Sequence, residues 1–194
     1  MIRYAQSQEA FAYGFEDEVW WSRTAQPALH SWCCDQPLRL IEKQRAKDDP
    51  DGPAIACYGC YLPSTNEMLL RFVDGRPVST VTCTFLAWLT ARFTDQGKRA
   101  LFLIWDNATW HNSKCVRTWV KAQNRLAKQQ GTCRLIICRL PSKSPWLNPI
   151  EPKWLHGKRA IAEPVHTLPM TELIQRICDY YHCDRLDTIA KQLC

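Results

Sequence analysis

Three groups of carboxylates stand where they could do chemistry. Glu151 lies in "SKSPWLNPIEPKW", residues 142–154, a stretch otherwise rich in Lys, Pro and Trp. Asn148 reads as a helix N-cap, Pro149 as the first helical residue, and Glu151 then falls at the third position, close to a capping box. That is a structural role in itself. The same geometry also aims the carboxylate rigidly, and Pro145 and Pro149 stiffen its approach. Lys143, Lys153, Lys158 and Arg159 surround it with positive charge, so it could serve as a metal ligand beside a bound phosphate. Asp106 follows "LFLIW" directly, at the carboxyl end of an apolar strand, where open α/β sheets place their ligand sites. Asp106 or Asn107 could equally cap the turn of "DNATWHNS". The third group is "FEDEV". Strand alternation puts Phe15, Asp17 and Val19 on one face and Glu16 and Glu18 on the other, and does not choose among the three acids.

The elements that must position these acids can be read from periodicity. "FAYGFEDEVWWS" (11–22) reads as a strand, residues 28–53 as irregular, and "AIACYGCYL" and "EMLLRFVDG" as two strands joined by the turn "PSTN". Val78, Thr82, Phe85, Leu86, Leu89 and Phe93 recur at helical spacing, closed by Gly97. "ALFLIW" is an apolar run suited to a strand buried on both faces. A helix from about Ser113 to Gly131, with Val116, Trp119, Val120 and Ala127 inward, precedes "RLIICRL", a second buried strand. A helix begins near Asn148, and one or two more fill 169–193. This order predicts an α/β fold: a mixed five-stranded sheet, an antiparallel meander followed by parallel strands, with helices on both faces. The 194 residues fit one domain, with no internal repeat, low-complexity tract or linker.

Charge is unevenly spread. Residues 1–97 hold nine Lys/Arg and twelve Asp/Glu, and residues 161–194 hold three and five. Residues 98–160 hold thirteen and two, a balance of +11, and the two acids are Asp106 and Glu151. Such a block points to a polyanionic partner, nucleic acid first. The eleven cysteines suggest no disulfide framework, because no apolar signal segment opens the chain and no run is long enough to span a membrane. The expectation is an intracellular, cytoplasmic protein. A zinc site at Cys57 and Cys60 is unpromising, since residues three apart on a strand face opposite ways and no second CxxC completes the site.

Taken together, "FEDE", "FLIWDNATWH" and "LPSKSPWLNPIEPKW" resemble the three signatures of DDE-superfamily transposases of the mariner type and their bacterial insertion-sequence relatives. The third is the most specific: Leu-Pro, Ser-Pro, Leu-Asn-Pro, Ile-Glu, then Trp154 three residues on. "GRPVSTVTCTFLAWL" and "MTELIQRICDYY" are similar to the family's middle and terminal helices, so the likeness covers nearly the whole chain. It implies the RNase H-like fold shared with retroviral integrases. It implies Asp17, Asp106 and Glu151 as catalytic metal ligands for two Mg²⁺ or Mn²⁺ ions, the arrangement that drives in-line phosphodiester displacement. The implied reaction is cleavage at transposon ends followed by attack of the freed 3′-OH on target DNA, with a homodimer acting on DNA. His111 matches a histidine of the second signature. Together with Asn107 and Asn148 it is a candidate for support of the site. Lys143, Lys153, Lys158 and Arg159 are candidates for phosphate contacts, and Trp110 and Trp146 for base stacking. The chain departs from the family in three ways. The 44 residues between Asp106 and Glu151 form a longer gap than usual, "HSWCCDQPLRL" lacks the Gly that normally follows the Trp of the early hairpin, and the sequence starts almost at the first catalytic strand, where relatives carry helix-turn-helix domains first. Residues 1–194 are therefore expected to be a lone catalytic domain, with DNA recognition supplied by a separate domain or chain. The contrasting expectation is a catalytically silent remnant that only binds nucleic acid or a partner.

Overall fold

The structure, a computed structural model, describes residues 8–24, 30–33, 36–39, 47–142, 144–161 and 167–190. Among the described residues, seven strands form: β1 (Phe11–Ser22), β2 (His30–Cys33), β3 (Gln36–Arg39), β4 (Ala54–Leu62), β5 (Glu67–Val73), β6 (Ala100–Trp105) and β7 (Arg134–Arg139). Four α-helices accompany them there: α1 (Ser79–Asp95), α2 (Lys114–Gln130), α3 (Ile150–Ile161) and α4 (Met170–Tyr181). The main sheet has the order β5-β4-β1-β6-β7. Pairing is antiparallel between β5 and β4 and between β4 and β1, and parallel from β1 to β6 and β6 to β7. This is the expected mixed sheet, with β1 at its centre.

Each face of the sheet carries its own core, because side chains alternate along every strand. Phe15, Val19 and Trp21 of β1 pack with Ile150 and Trp154 of α3 and Leu173 and Ile177 of α4. On the opposite face, Tyr58 and Cys60 of β4 and Leu101, Leu103 and Trp105 of β6 pack against Phe85, Leu86 and Leu89 of α1 and Val116 of α2. Cys57 joins the first core and Cys60 the second, so the two thiols do point apart as strand geometry requires. All six residues of β6 are buried.

Three expectations need correction. Residues 30–33 and 36–39, in the stretch read as irregular, form the antiparallel strand pair β2–β3. β7 is not buried on both faces. It is the sheet's edge, with only Leu135 fully buried, and its apolar composition does not distinguish the two placements. Its outer backbone is capped by Asn124 of α2, whose amide donates to the Leu135 carbonyl and accepts from the Leu135 N–H, both at 2.7 Å. That clamp closes part of the edge that an unpaired strand would expose. Finally, of the one or two helices expected to fill 169–193, one forms, α4, and it does not reach the end of the described segment. Through residue 190 the chain after Tyr181 has no helix, and Ile189 bridges β5, donating to the Phe72 carbonyl at 2.8 Å.

The helix around the basic block forms as read. Ser113 Oγ caps α2 by accepting from the Val116 N–H at 3.2 Å, and Gly131 closes it at φ 70°, a conformation glycine adopts without strain.

Candidate active site

Asp17, Asp106 and Glu151 come from three distant segments and line one cavity of about 290 Å³, together with Asn107, Asn148, Leu140 and Ser142. Sheet register explains the first two. β1 and β6 run parallel, with Phe15 opposite Ile104. Carrying that register on by two residues sets Asp17 beside Asp106, just beyond the end of β6. The third comes from the first turn of α3, which packs across the same face of β1. The cavity therefore opens at the carboxyl end of the parallel strands, where this class of sheet places its ligands.

The choice within "FEDE" follows from the faces. Asp17 shares a face with Phe15 and Val19 and looks into the cavity, while Glu16 and Glu18 point through the sheet toward α1 and α2. Trp154 holds Asp17 in place: its indole N–H donates to Asp17 Oδ2 at 3.0 Å. The indole can reach there because β4 carries Gly59 opposite Asp17, and a Cβ at Gly59 would overlap the Trp154 ring. Sequence reasoning recorded Trp154 only as part of a signature and Gly59 not at all. An aromatic with a buried N–H one turn from a candidate acid was the available signal.

Electrostatics separate the acids. Burial, then the nearby Glu151 and Glu18 charges, push the Asp17 carboxyl up to about 7, against the relief given by the Trp154 bond. Asp106 moves the other way. A hydrogen bond from His111 holds it below the usual carboxylate range, outweighing its burial. Two like charges facing one cavity, one of them reluctant to ionise, make a place that gains from a cation. The donors are carboxylate oxygens, which suit hard divalent ions.

Glu151 does not make the capping-box bond. Its own N–H bonds to the Asn148 carbonyl at 3.1 Å, and among the described residues its carboxylate has no hydrogen-bond partner. The side chain faces the cavity instead. Asn148 is buried, donates to the Glu16 carbonyl at 3.3 Å and accepts at 3.5 Å from Ile150 N–H, which fastens the start of α3 to β1. Asp106 Oδ1 accepts from the Ala108 N–H at 2.8 Å, closing the turn, and Asn107 donates to the Leu140 carbonyl at 2.7 Å, bridging to the loop after β7.

Behind the cavity lies a second acidic group. His111, 1% exposed, stacks on Trp105 with ring centroids 4.4 Å apart. Its Nδ1 is 2.9 Å from Asp106 Oδ1, and its Nε2 is 3.1 Å from Glu18 Oε1 and 3.3 Å from Glu16 Oε2. Burial alone would lower the imidazole's pKa, but Glu16, Asp106 and Glu18 outweigh it and lift it to about 11. Burial and Glu18 hold the Glu16 carboxyl well above its ordinary range.

The candidate phosphate ligands do not all converge. Lys153 Nζ donates to Asn66 at 2.8 Å and lies over the Tyr61 ring, on the β4–β5 turn. Lys158 and Arg159 are exposed in the last turn of α3 and do not line the cavity, and Lys143 lies outside the described residues. Trp110 is half-buried with its N–H spent on Glu18 at 2.7 Å, whereas Trp146 is 76% exposed. No helix among the described residues is long and apolar enough to cross a membrane.

The profile of the DDE superfamily endonuclease family matches residues 42–169, a span that includes Asp106 and Glu151 and begins after Asp17. A search of curated proteins finds no match. Among solved structures, the chain is similar to Mos1 transposase in its paired-end complex with the left transposon end, with a TM-score of 0.63 and 14% identity, over 95% of this chain and 52% of that one. It resembles the Mos1 mariner paired-end complex with Mn equally, at 0.63 and 14% over 93% and 51%. It also resembles the isolated catalytic domain of Mos1 mariner transposase, at 0.57 and 12% over 95% and 76%. The chain thus spans about half the length of the paired-end transposases it matches. With well over half of its residues inside the family profile, and with a mixed sheet matching the RNase H-like transposase catalytic domains, this chain belongs to the DDE superfamily endonucleases.

Proposed function

We propose that this chain is a transposase catalytic domain that cleaves DNA strands and joins the freed 3′-OH to target DNA, with Asp17, Asp106 and Glu151 as its metal-holding acids. The observation that carries this reading is the meeting of three carboxylates from three separate elements in one solvent-open cavity. Mos1 complexes have been solved with Mn and with Mg, and the all-oxygen donor set here fits the same ions. Two such ions, when bound, would activate a water or 3′-OH and stabilise the leaving oxygen of an in-line displacement.

The protein's own part is preorganisation. Trp154 occupies Asp17 Oδ2, and His111 with the Ala108 amide occupies Asp106 Oδ1, which leaves one oxygen of each acid for the cavity. Asp17 lies in mid-β1, just past its parallel pairing with β6, and Asp106 just beyond the end of β6, so both are held by backbone register. Glu151 rides on α3, whose position depends on Trp154 and Asn148. The three therefore hold their mutual spacing without the substrate's help.

DNA is the proposed partner. Besides Lys153, Lys158, Arg159 and Lys143, α2 carries Lys114, Arg117, Lys121, Arg125 and Lys128, all exposed, at spacings of three and four residues. That spacing draws a single basic row along one helical face, and none of the five pairs with an acid among the described residues. Such a row suits a phosphate backbone. Trp146 offers an exposed ring for an unpaired base. Assembly as a homodimer on paired ends, with sequence recognition from a separate domain or chain, completes the proposal.

The test is strand nicking of a supercoiled plasmid in Mn²⁺, beside calorimetric titration of Mn²⁺. The wild type nicks and binds, and Asp106→Ala and Glu151→Ala do neither while remaining folded. Nicking by Asp106→Ala at the wild-type rate would remove the assignment. A folded wild type that binds DNA but neither nicks it nor binds Mn²⁺ in its presence would make the chain a silent binding module.

A further inference from the structure

The cluster behind the cavity has its own chemistry. Glu16 and Glu18 leave β1 on the face opposite Asp17, and His111 comes to them from the loop after Asp106. One ligand atom from each of the three lies within 4.8 Å of the others. His111 cannot satisfy both acids. Its Nδ1 faces Asp106 at 2.9 Å, which leaves one nitrogen, Nε2, for two carboxylates at 3.1 and 3.3 Å. Glu18 has a second partner in the Trp110 indole. Glu16 has none: it is 1% exposed, and both its oxygens are buried without a hydrogen bond. A buried carboxylate in that condition is retained at a cost unless something positive reaches it.

We propose that Glu16, Glu18 and His111 form a transition-metal site, distinct from the Asp17–Asp106–Glu151 cavity, that takes a zinc-class ion of mixed nitrogen and oxygen preference. The distances fit. Ligands at about 2.0–2.1 Å from a tetrahedral ion stand roughly 3.3–3.4 Å from one another, close to the Nε2–carboxylate separations here. The tautomer fits as well. With Nδ1–H donating to Asp106, the Nε2 lone pair faces the two acids, the carboxylate–histidine–metal arrangement that orients a metal-binding imidazole. One imidazole with two carboxylates suits zinc, whereas the all-oxygen cavity suits Mg²⁺ or Mn²⁺. Asp106 would then belong to both centres, facing the cavity with one oxygen and steadying the zinc-bound histidine with the other.

The experiment silences the cavity first. Asp17→Asn with Glu151→Gln removes two of its three acids and leaves the cluster intact. That protein, treated with chelator and titrated with Co²⁺, should bind one equivalent with visible d–d absorption, and Zn²⁺ should displace it. In this background Glu16→Gln or Glu18→Gln should weaken binding at least about tenfold, and Asp106→Asn about 10- to 100-fold, by loosening the histidine. A zinc-induced shift of the His111 Nε2 resonance in isotopically labelled protein checks the same point without altering the cluster, should either Gln variant fail to fold. The proposal is overturned if the silenced protein binds neither ion. It is equally overturned if binding survives Glu16→Gln and Glu18→Gln unchanged, or if His111 does not respond to zinc. The cation of the cluster is then the imidazole's own second proton. None of these readouts depends on nicking, so failure of the zinc site and failure of the transposase reading are separable.

Discussion

Replacing Asp17 with Asn should stabilise the metal-free domain, by an amount that depends on pH. Asp17 is lifted from a carboxylate's ordinary range near 4 to about 7, first by burial and then by Glu151 and Glu18. A carboxyl whose folded pKa lies above its unfolded one costs nothing when protonated in both states. The cost grows as pH rises from the unfolded value and is complete above the folded one. Integrating between those two values gives about 1.7 kcal/mol at pH 5 and about 4.3 at pH 8, a difference of about 2.6 kcal/mol as a ceiling. The cavity is open to solvent, so about half of that is a fair expectation. Asn keeps an oxygen to accept the Trp154 N–H and carries no charge. For a domain of this length, 1 kcal/mol moves Tm by about 2–4 °C. Asp17→Asn should therefore gain about 3–5 °C more over wild type at pH 8 than at pH 5, measured by thermal unfolding in EDTA. Adding Mn²⁺ at pH 8 should raise the wild-type Tm and leave the variant's nearly unmoved. An equal difference between the two proteins at both pH values would refute the reasoning, because the Asp17 charge would then carry no penalty. An equal Mn²⁺ response would remove Asp17 from the metal site.

Other outcomes follow from the same contacts. Trp154→Phe keeps most of the ring but removes the donor to Asp17. It should cost roughly 1.5–3 kcal/mol of stability by denaturant titration and slow nicking more than it weakens DNA binding. Gly59→Ala puts a methyl group into the Trp154 ring, and this overpacking should cost about 1–3 kcal/mol and reproduce the nicking defect of Trp154→Phe. The double variant should be less than additive in the nicking assay, since both act through one indole. Lys121→Glu with Arg125→Glu should flatten the slope of log K against log salt for duplex DNA by about 2, at about 0.9 per phosphate contact, with Mn²⁺ binding untouched. An unchanged slope would take α2 out of the DNA surface.

Much of the positioning was legible in the residues. "ALFLIW" reads as an inner strand and is one, and the acid at its carboxyl end lines the cavity, so the place of Asp106 was legible from local pattern. The place of Glu151 in the first turn of a helix was legible in the same way, but its capping bond is not made. N-cap spacing describes what a side chain can reach, not the cavity that competes for it. Alternation divided "FEDE" correctly into two faces and could not say which face held the cavity. That depended on Gly59, 42 residues away and on another strand, making room for Trp154. His111 was a candidate for site support, but its two buried glutamate neighbours were invisible, because they meet it across the sheet rather than along the chain. β7 was read as buried because an edge strand clamped by an asparagine needs no different composition from an inner one.

"FEDE" places three acids in consecutive positions on the strand where two-faced alternation matters most. Were β1 to slide by one residue, a glutamate would enter the cavity, Asp17 would enter the histidine pocket, and each face would still hold a carboxylate. The error would be nearly silent in charge. Besides the core side chains Phe15, Val19 and Trp21, which would change faces, the slip meets the notch at Gly59, which admits the Trp154 indole and so presents one N–H at one height above the sheet. In the paired register that hydrogen meets the shorter acid, Asp17, and a longer glutamate side chain at the same height would not meet it alike. The tryptophan N–H thus singles out one of three adjacent acids, and it does so only in the register that sets Asp17 opposite Gly59.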